Sequence, residues 1–143
     1  MQSILNIKLQ LENQAKQELG RAQARLLEEQ EKLQTFIDRK EAYLEEGRRM
    51  RKKALSVGDL RDNNRAISIM DGMIGDQRKC VEKAEQTVEA ARLKLQEVMQ
   101  ERKMHEKLKE KALEQYKYEE NAAEFKAVDE LTSYTYGQRG KEE

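Results

Sequence analysis

The chain has 143 residues, no proline and no tryptophan, and 39% of it is charged, against roughly a quarter in an ordinary globular domain. Its 28 basic and 28 acidic residues cancel and are interspersed, so no one-signed field exists for a nucleic acid to follow. With 37% apolar residues and two Phe, neither a thick core nor an enclosed catalytic pocket is expected, and apolar surface has to be hidden in narrow stripes between helices.

Ala, Glu, Lys, Leu and Arg supply 78 of the 143 residues, the proportion that marks a coiled coil or long-helix protein. No apolar run approaches the length of a membrane span, and Met1-Gln2-Ser3-Ile4-Leu5 lacks a charged region leading into an apolar one. A cytoplasmic chain without an integral membrane segment is expected. The one cysteine, Cys80, has no internal partner for a disulfide, which fits a reducing compartment.

From Leu5 onward apolar residues recur at helical spacing. Leu19, Leu26 and Leu33 are seven apart, and Ala15, Ala22, Phe36, Tyr43 and Met50 form a companion line that Glu29 interrupts. The pattern predicts a first helix over about 2–55, ending in Arg48, Arg49, Arg51, Lys52 and Lys53, where positive charge meets the negative end of the helix dipole. Ser56-Val57-Gly58-Asp59 reads as a turn over 56–59 with Ser56 as the cap of a second helix over about 60–136. In that helix Met70, Gln77, Ala84, Ala91 and Val98 form one heptad line, and Ile74, Val81, Val88 and Leu95 the other.

Two such stripes joined by a short glycine-containing connection predict an all-α fold, a long antiparallel two-helix coiled-coil hairpin. A parallel homodimer of one long broken helix is the competing solution, and the connection favours a hairpin that is monomeric in isolation. Folding about residue 57 places Leu33 near Val81, Leu26 near Val88 and Leu19 near Leu95, to within a turn. Beyond Val98 the heptad positions hold Arg102, His105 and Lys109, while Met104, Leu108, Tyr118 and Phe125 fall out of phase, so a slip of register is expected there. The second helix should be the longer, about 120 Å against about 80 Å, leaving residues from about 113 to 136 without a partner and a frayed tail over 137–143.

No chemistry-bearing cluster emerges, and no cofactor, metal or catalytic residue is expected. His105 is the only histidine and reads as a partly exposed helix residue; pairs such as Glu119-Glu120 read as solvated charge; Cys80 reads as a semi-buried small side chain. Gly72 and Gly75 sit among Ile69, Met70, Met73 and Ile74, which reads either as a loosened coil or as an adaptable surface for a partner. The stretch beyond 113 carries Tyr116, Tyr118, Phe125, Leu131, Tyr134 and Tyr136, more aromatic surface than a solvated helix requires.

The run Glu101-Arg102-Lys103-Met104-His105-Glu106-Lys107-Leu108-Lys109-Glu110-Lys111 with Asp129-Glu130-Leu131, and Leu5-Asn6-Ile7-Lys8 with Glu12-Asn13-Gln14-Ala15-Lys16 at the start, resemble the flagellar export protein FliJ family over essentially the whole chain. The resemblance implies a non-enzymatic stalk of the flagellar type III export apparatus, similar to the coiled coil of the rotary ATPase gamma subunit and peripheral at the cytoplasmic face of the membrane when assembled. Its implied partners are the hexameric export ATPase FliI, the export gate protein FlhA and export chaperones. Met70, Met73, Ile74, Gln77 and Val81 fall in the motif associated with gate contact, with Ala66 or Ile67 where an aromatic is usual. Tyr116, Tyr118 and Phe125 are the residues expected to meet the ATPase. The family's short aromatic-containing segment before Met1 is missing, which is expected to reflect a late start or a shorter chain. Two alternatives are the equivalent stalk of a virulence secretion system and a prefoldin-like holding chaperone; the latter needs strand-forming segments at the hinge, and Ser56 to Asn64 has no alternating β-branched run.

Overall fold

The computed structural model describes residues 2–53 and 57–142, the last five of them as backbone alone. The chain forms two helices, α1 (Gln2–Lys52) and the longer α2 (Val57–Glu142), packed against each other, with no strand among the described residues. It divides into two compact units, one of Gln10–Val98 and one of Met1–Leu9 with Met99–Glu143.

Within the unit of residues 10–98 the helices are antiparallel, as the contacts Glu29 to Gln77 and Tyr43 to Asn63 require. Its buried and half-buried positions step by three and four residues without a break. On α1 they run through Glu12, Ala15, Leu19, Ala22, Leu26, Glu29, Leu33, Phe36, Lys40, Tyr43, Gly47 and Met50. On α2 they run through Leu60, Asn63, Ile67, Met70, Ile74, Gln77, Val81, Ala84, Val88, Ala91, Leu95 and Val98. This is the spacing that keeps one seam facing a partner helix. Two helices enclose little, and no large side chain among the described residues is completely buried.

The seam is not uniformly apolar, and two of its buried amides, Gln77 and Asn63, donate across it, while Asn63 Oδ1 is left without a hydrogen-bond partner. Gln77, 4% exposed, donates from Nε2 to the main-chain oxygen of Glu29 at 2.9 Å and to Glu29 Oε2 at 2.5 Å. Arg25 holds the other carboxylate oxygen of Glu29 at 3.0 Å. Two heptads toward the connection from each of these residues, buried Asn63 donates from Nδ2 to the main-chain oxygen of Tyr43 at 3.0 Å. Asn63 comes this close because residue 47 is glycine: a Cβ there would lie 2.7 Å from Asn63 Oδ1.

Both contacts join residues whose numbers sum to 106, so the register is constant between them. Continued, it sets Ala22 against Ala84 and Ala15 against Ala91 on one line; on the other, where the seam positions are offset by one residue, it brings Leu33 beside Ile74, Leu26 beside Val81 and Leu19 beside Val88. The pairing expected from the sequence is therefore corrected by one heptad. The physical reason lies in the polar layers: the expected pairing would set Gln77 against Phe36 and Glu29 against Ala84, with both polar groups buried and unmatched.

The connection also differs from expectation. Helix α2 begins at Val57 rather than 60, which places Gly58 and Asp59 in its first turn, and Asp59 there complements the positive end of the helix dipole. Helix α1 closes with Arg49, Arg51 and Lys52 in its last turn and the Lys53 amide shared between the oxygens of Arg49 and Met50 at 3.2 and 3.3 Å. The expected end near Leu55 and the cap at Ser56 lie outside the described residues. At its other end α2 runs to Glu142 rather than stopping at Tyr136; Gln138, Arg139 and Lys141 favour helix, and no proline opposes it.

The unit of residues 1–9 and 99–143 keeps the same spacing. Arg102, His105 and Lys109 stand half-buried with Leu5 and Lys8, as do Met99, Glu101 and Glu106 beside them. Long basic side chains can lie along a seam while their heads reach water. Here Lys8 pairs with Glu101 at 2.9 Å, Lys109 donates to Gln2 Oε1, and Arg102 pairs with Glu106 at 2.8 Å. From residue 110 to 137 every residue is exposed.

Two expectations follow. Val88→Asp, which buries a charge in the apolar stretch of the seam, should lower the thermal midpoint by an amount equivalent to several kcal/mol, and an unchanged melt would place Val88 outside the seam. Gly47→Ala should destabilise by about 1–3 kcal/mol despite alanine's better helix propensity, because the methyl displaces Asn63 from the Tyr43 oxygen. The double variant Gly47→Ala with Asn63→Ala should recover part of that loss in a denaturant titration.

Candidate functional site

The residues expected to meet the gate lie in the unit of residues 10–98, and most of them face inward. Met70 is 4% exposed, Ile74 and Gln77 are also buried, and Val81 is half-buried; they stand in register with Phe36, Leu33, Glu29 and Leu26. Met73 is the exception at 36% exposed. It shares its flank of α2 with Ile69, which is 57% exposed and one turn earlier, and with Gly72 between them. The surface at this level is thus Ile69, Gly72 and Met73, held in place by the seam residues behind it.

Ile69 escapes a heptad reading because its line carries no other apolar residue nearby. The signal that finds it is its position four residues before Met73, off both seam lines. On the opposite flank Ile37, Leu44 and Ile74 line a shallow groove bounded by Lys40 and Asp71, whose charged ends are 2.6 Å apart.

A Cβ added at Gly72 or at Gly75 would meet nothing within 4 Å. Neither glycine is required by contacts within the chain, and each costs about 1 kcal/mol relative to Ala in a helix. Cys80 is exposed rather than semi-buried, beside Arg25 and Lys83 on the flank that carries Met73. The sequence placed it next to Val81 and so near the seam, but one residue turns a side chain by about 100° around the helix.

In the unit of residues 1–9 and 99–143, Tyr116, Tyr118 and Phe125 are 63%, 72% and 73% exposed. They do not form one cluster. Tyr118 and Phe125 are seven residues apart and share a face, whereas Tyr116 points about 200° away from Tyr118. Exposed Leu113, Val128 and Leu131 add apolar surface to the same stretch, and Gln115 with Glu119 and Thr135 with the Leu131 oxygen make local hydrogen bonds along it. His105 stands half-buried in the seam.

Among the described residues no helix is long and apolar enough to cross a membrane. Comparison with known families matches residues 1–141 to the family described as flagellar FliJ protein. No curated protein and no solved structure matches the chain.

Filling the open space at both glycines should strengthen the hairpin. Gly72→Ala combined with Gly75→Ala is expected to raise the thermal midpoint by roughly 4–8 °C, since about 2 kcal/mol of helix propensity is recovered without a clash. A lowered midpoint would show that the two positions are conformationally constrained within the chain.

Proposed function

The chain belongs to the flagellar FliJ family, a family of flagellar protein export components, and from that premise we propose that it is a non-enzymatic stalk linking the export ATPase ring to the export gate. The observation that carries this reading is the continuous exposure of α2 from residue 110 to 137. A helix of that length with Tyr116, Tyr118 and Phe125 exposed around it has more apolar surface than solvent favours, and aromatic side chains are the ones interfaces use most.

The distribution of those aromatics fits insertion better than side-on docking. A helix lying on a surface buries one stripe, while a helix within a ring is touched on opposite faces, which suits the divergent directions of Tyr116 and Tyr118. The gate is read at Met73 and Ile69, with Met70, Ile74, Gln77 and Val81 contributing through the seam that supports them. Gly72 lets a partner backbone approach closely between the two side chains. Export chaperones are further partners of the same exposed helix, and the assembled stalk sits at the cytoplasmic face of the membrane.

The test uses two sets of substitutions in the full chain, Tyr116→Ser alone and Tyr118→Ser with Phe125→Ser, measured for binding to the hexameric export ATPase by titration and for helicity on the same samples. Each set should weaken binding about tenfold or more with helicity unchanged, since loss of one buried aromatic contact is worth about 2 kcal/mol at an interface hot spot. Light scattering of the complex should give one chain per hexamer. If only one set weakens binding, the helix docks on the outside of its partner and ring insertion is wrong; if neither does, the exposed stretch is not the ATPase-binding element.

A further inference from the structure

In the unit of residues 1–9 and 99–143 the usual polarity of a coiled coil is reversed. The seam holds Lys8, Arg102, His105 and Lys109 around Leu5, with Met99, Glu101 and Glu106 half-buried beside them, while Ile4, Ile7, Met104 and Leu108 are outside, 48–56% exposed. Each outside residue immediately precedes a seam position: Ile4 precedes Leu5, Ile7 precedes Lys8, Met104 precedes His105 and Leu108 precedes Lys109. The apolar strips of both helices are therefore displaced from the seam by the same single residue. In an antiparallel pair this puts both strips on the same flank, where they border each other across the seam.

A displacement of one residue is about 100° of rotation about the helix axis. If each helix rolls by that amount toward the shared flank, Ile4 and Ile7 face Met104 and Leu108, and Lys8, His105 and Lys109 are released to water. The change of phase is that of one extra residue in the repeat. The polar packing keeps the ion pair of Lys8 with Glu101 and the bond from Lys109 to Gln2; the rolled packing exchanges these for apolar burial. We propose that this unit is a two-state element whose helices alternate between the polar seam and an apolar seam one residue out of phase. The proposal stands apart from the stalk function and needs no partner.

The test is intramolecular disulfide formation in the full chain with Cys80→Ser. Leu5→Cys with Arg102→Cys reports the polar seam, and Ile4→Cys with Met104→Cys the apolar one. Both pairs should oxidise within the monomer at rates within about tenfold of each other. Adding Ile7→Gln and Leu108→Gln, which removes the remaining apolar burial of the rolled state, should slow the second reporter about tenfold while leaving the first unchanged. These added substitutions are at exposed positions, and circular dichroism on the same samples checks that helicity is retained.

The proposal is overturned if the Ile4→Cys, Met104→Cys pair stays reduced while the seam pair oxidises. It is overturned equally if that pair forms disulfides only between chains, which would assign the apolar flank to a second copy, or if the glutamine substitutions slow both reporters alike, which would indicate fraying rather than rotation.

Discussion

The hydrogen bonds from Gln77 to Glu29 decide which turn of α1 faces which turn of α2. Apolar heptads alone leave this open, because sliding one helix by seven residues replaces leucine and valine contacts with others of the same kind. The slide is not neutral for a buried amide and a carboxylate. Displaced by one heptad in the direction that sets Gln77 against Phe36, it leaves Glu29 against Ala84, and stranding two buried polar groups costs about 2–6 kcal/mol. Asn63, admitted by Gly47 to the Tyr43 oxygen, applies the same constraint two heptads away. Coiled coils commonly give up some stability for a polar residue that specifies register, and here two such layers act on one seam.

This also explains what the sequence could and could not reveal. The two stripes, the antiparallel hairpin and the longer second helix were legible because each rests on spacing over many residues. The register was not, because the stripes were aligned by their best apolar runs. Glu29 and Gln77 were both visible as breaks in their lines, and treating them as partners would have set the alignment correctly. Their match is a property of two segments taken together, which a reading along one helix does not contain. Beyond Val98 the apolar residues alone were a poor guide to burial: Met104 and Leu108 are exposed, whereas Arg102, His105 and Lys109 are half-buried through their long or partly polar side chains.

The candidate interaction residues were only partly legible. The family resemblance implies Met70, Ile74, Gln77 and Val81 as gate residues, yet the same four stand in the heptad lines, and a heptad line in a two-helix coil marks what the helices bury against each other. Their burial follows directly. Met73 and Ile69 break the pattern, and breaking it is what leaves them accessible. The same reasoning separates Tyr118 and Phe125, which share a face, from Tyr116 two residues away on another.

A hairpin of two helices has one seam and no interior, so nearly every side chain belongs either to the seam or to a surface that a partner can reach. Exposed apolar residues off the seam contribute nothing to the hairpin in the packing described, and each forgoes the gain that burial would bring, about 25 cal/mol per Å². Where they are scattered singly this is ordinary. Where they border one another, as Ile69 with Met73 or Ile4 and Ile7 with Met104 and Leu108, the position of each is set by the same periodicity that sets the seam, and together they make a second stripe. A second stripe on a coiled coil has two physical uses. Another molecule can cover it, or the helices can roll and cover it themselves. The distinction lies in how the seam beside it is made: next to Met73 the seam is apolar and hydrogen-bonded, and rolling would break it, whereas next to Met104 it is built of charged side chains whose heads are already close to water. The two proposals divide accordingly: a roll of the helices suits the second place, and recognition by another molecule suits the first.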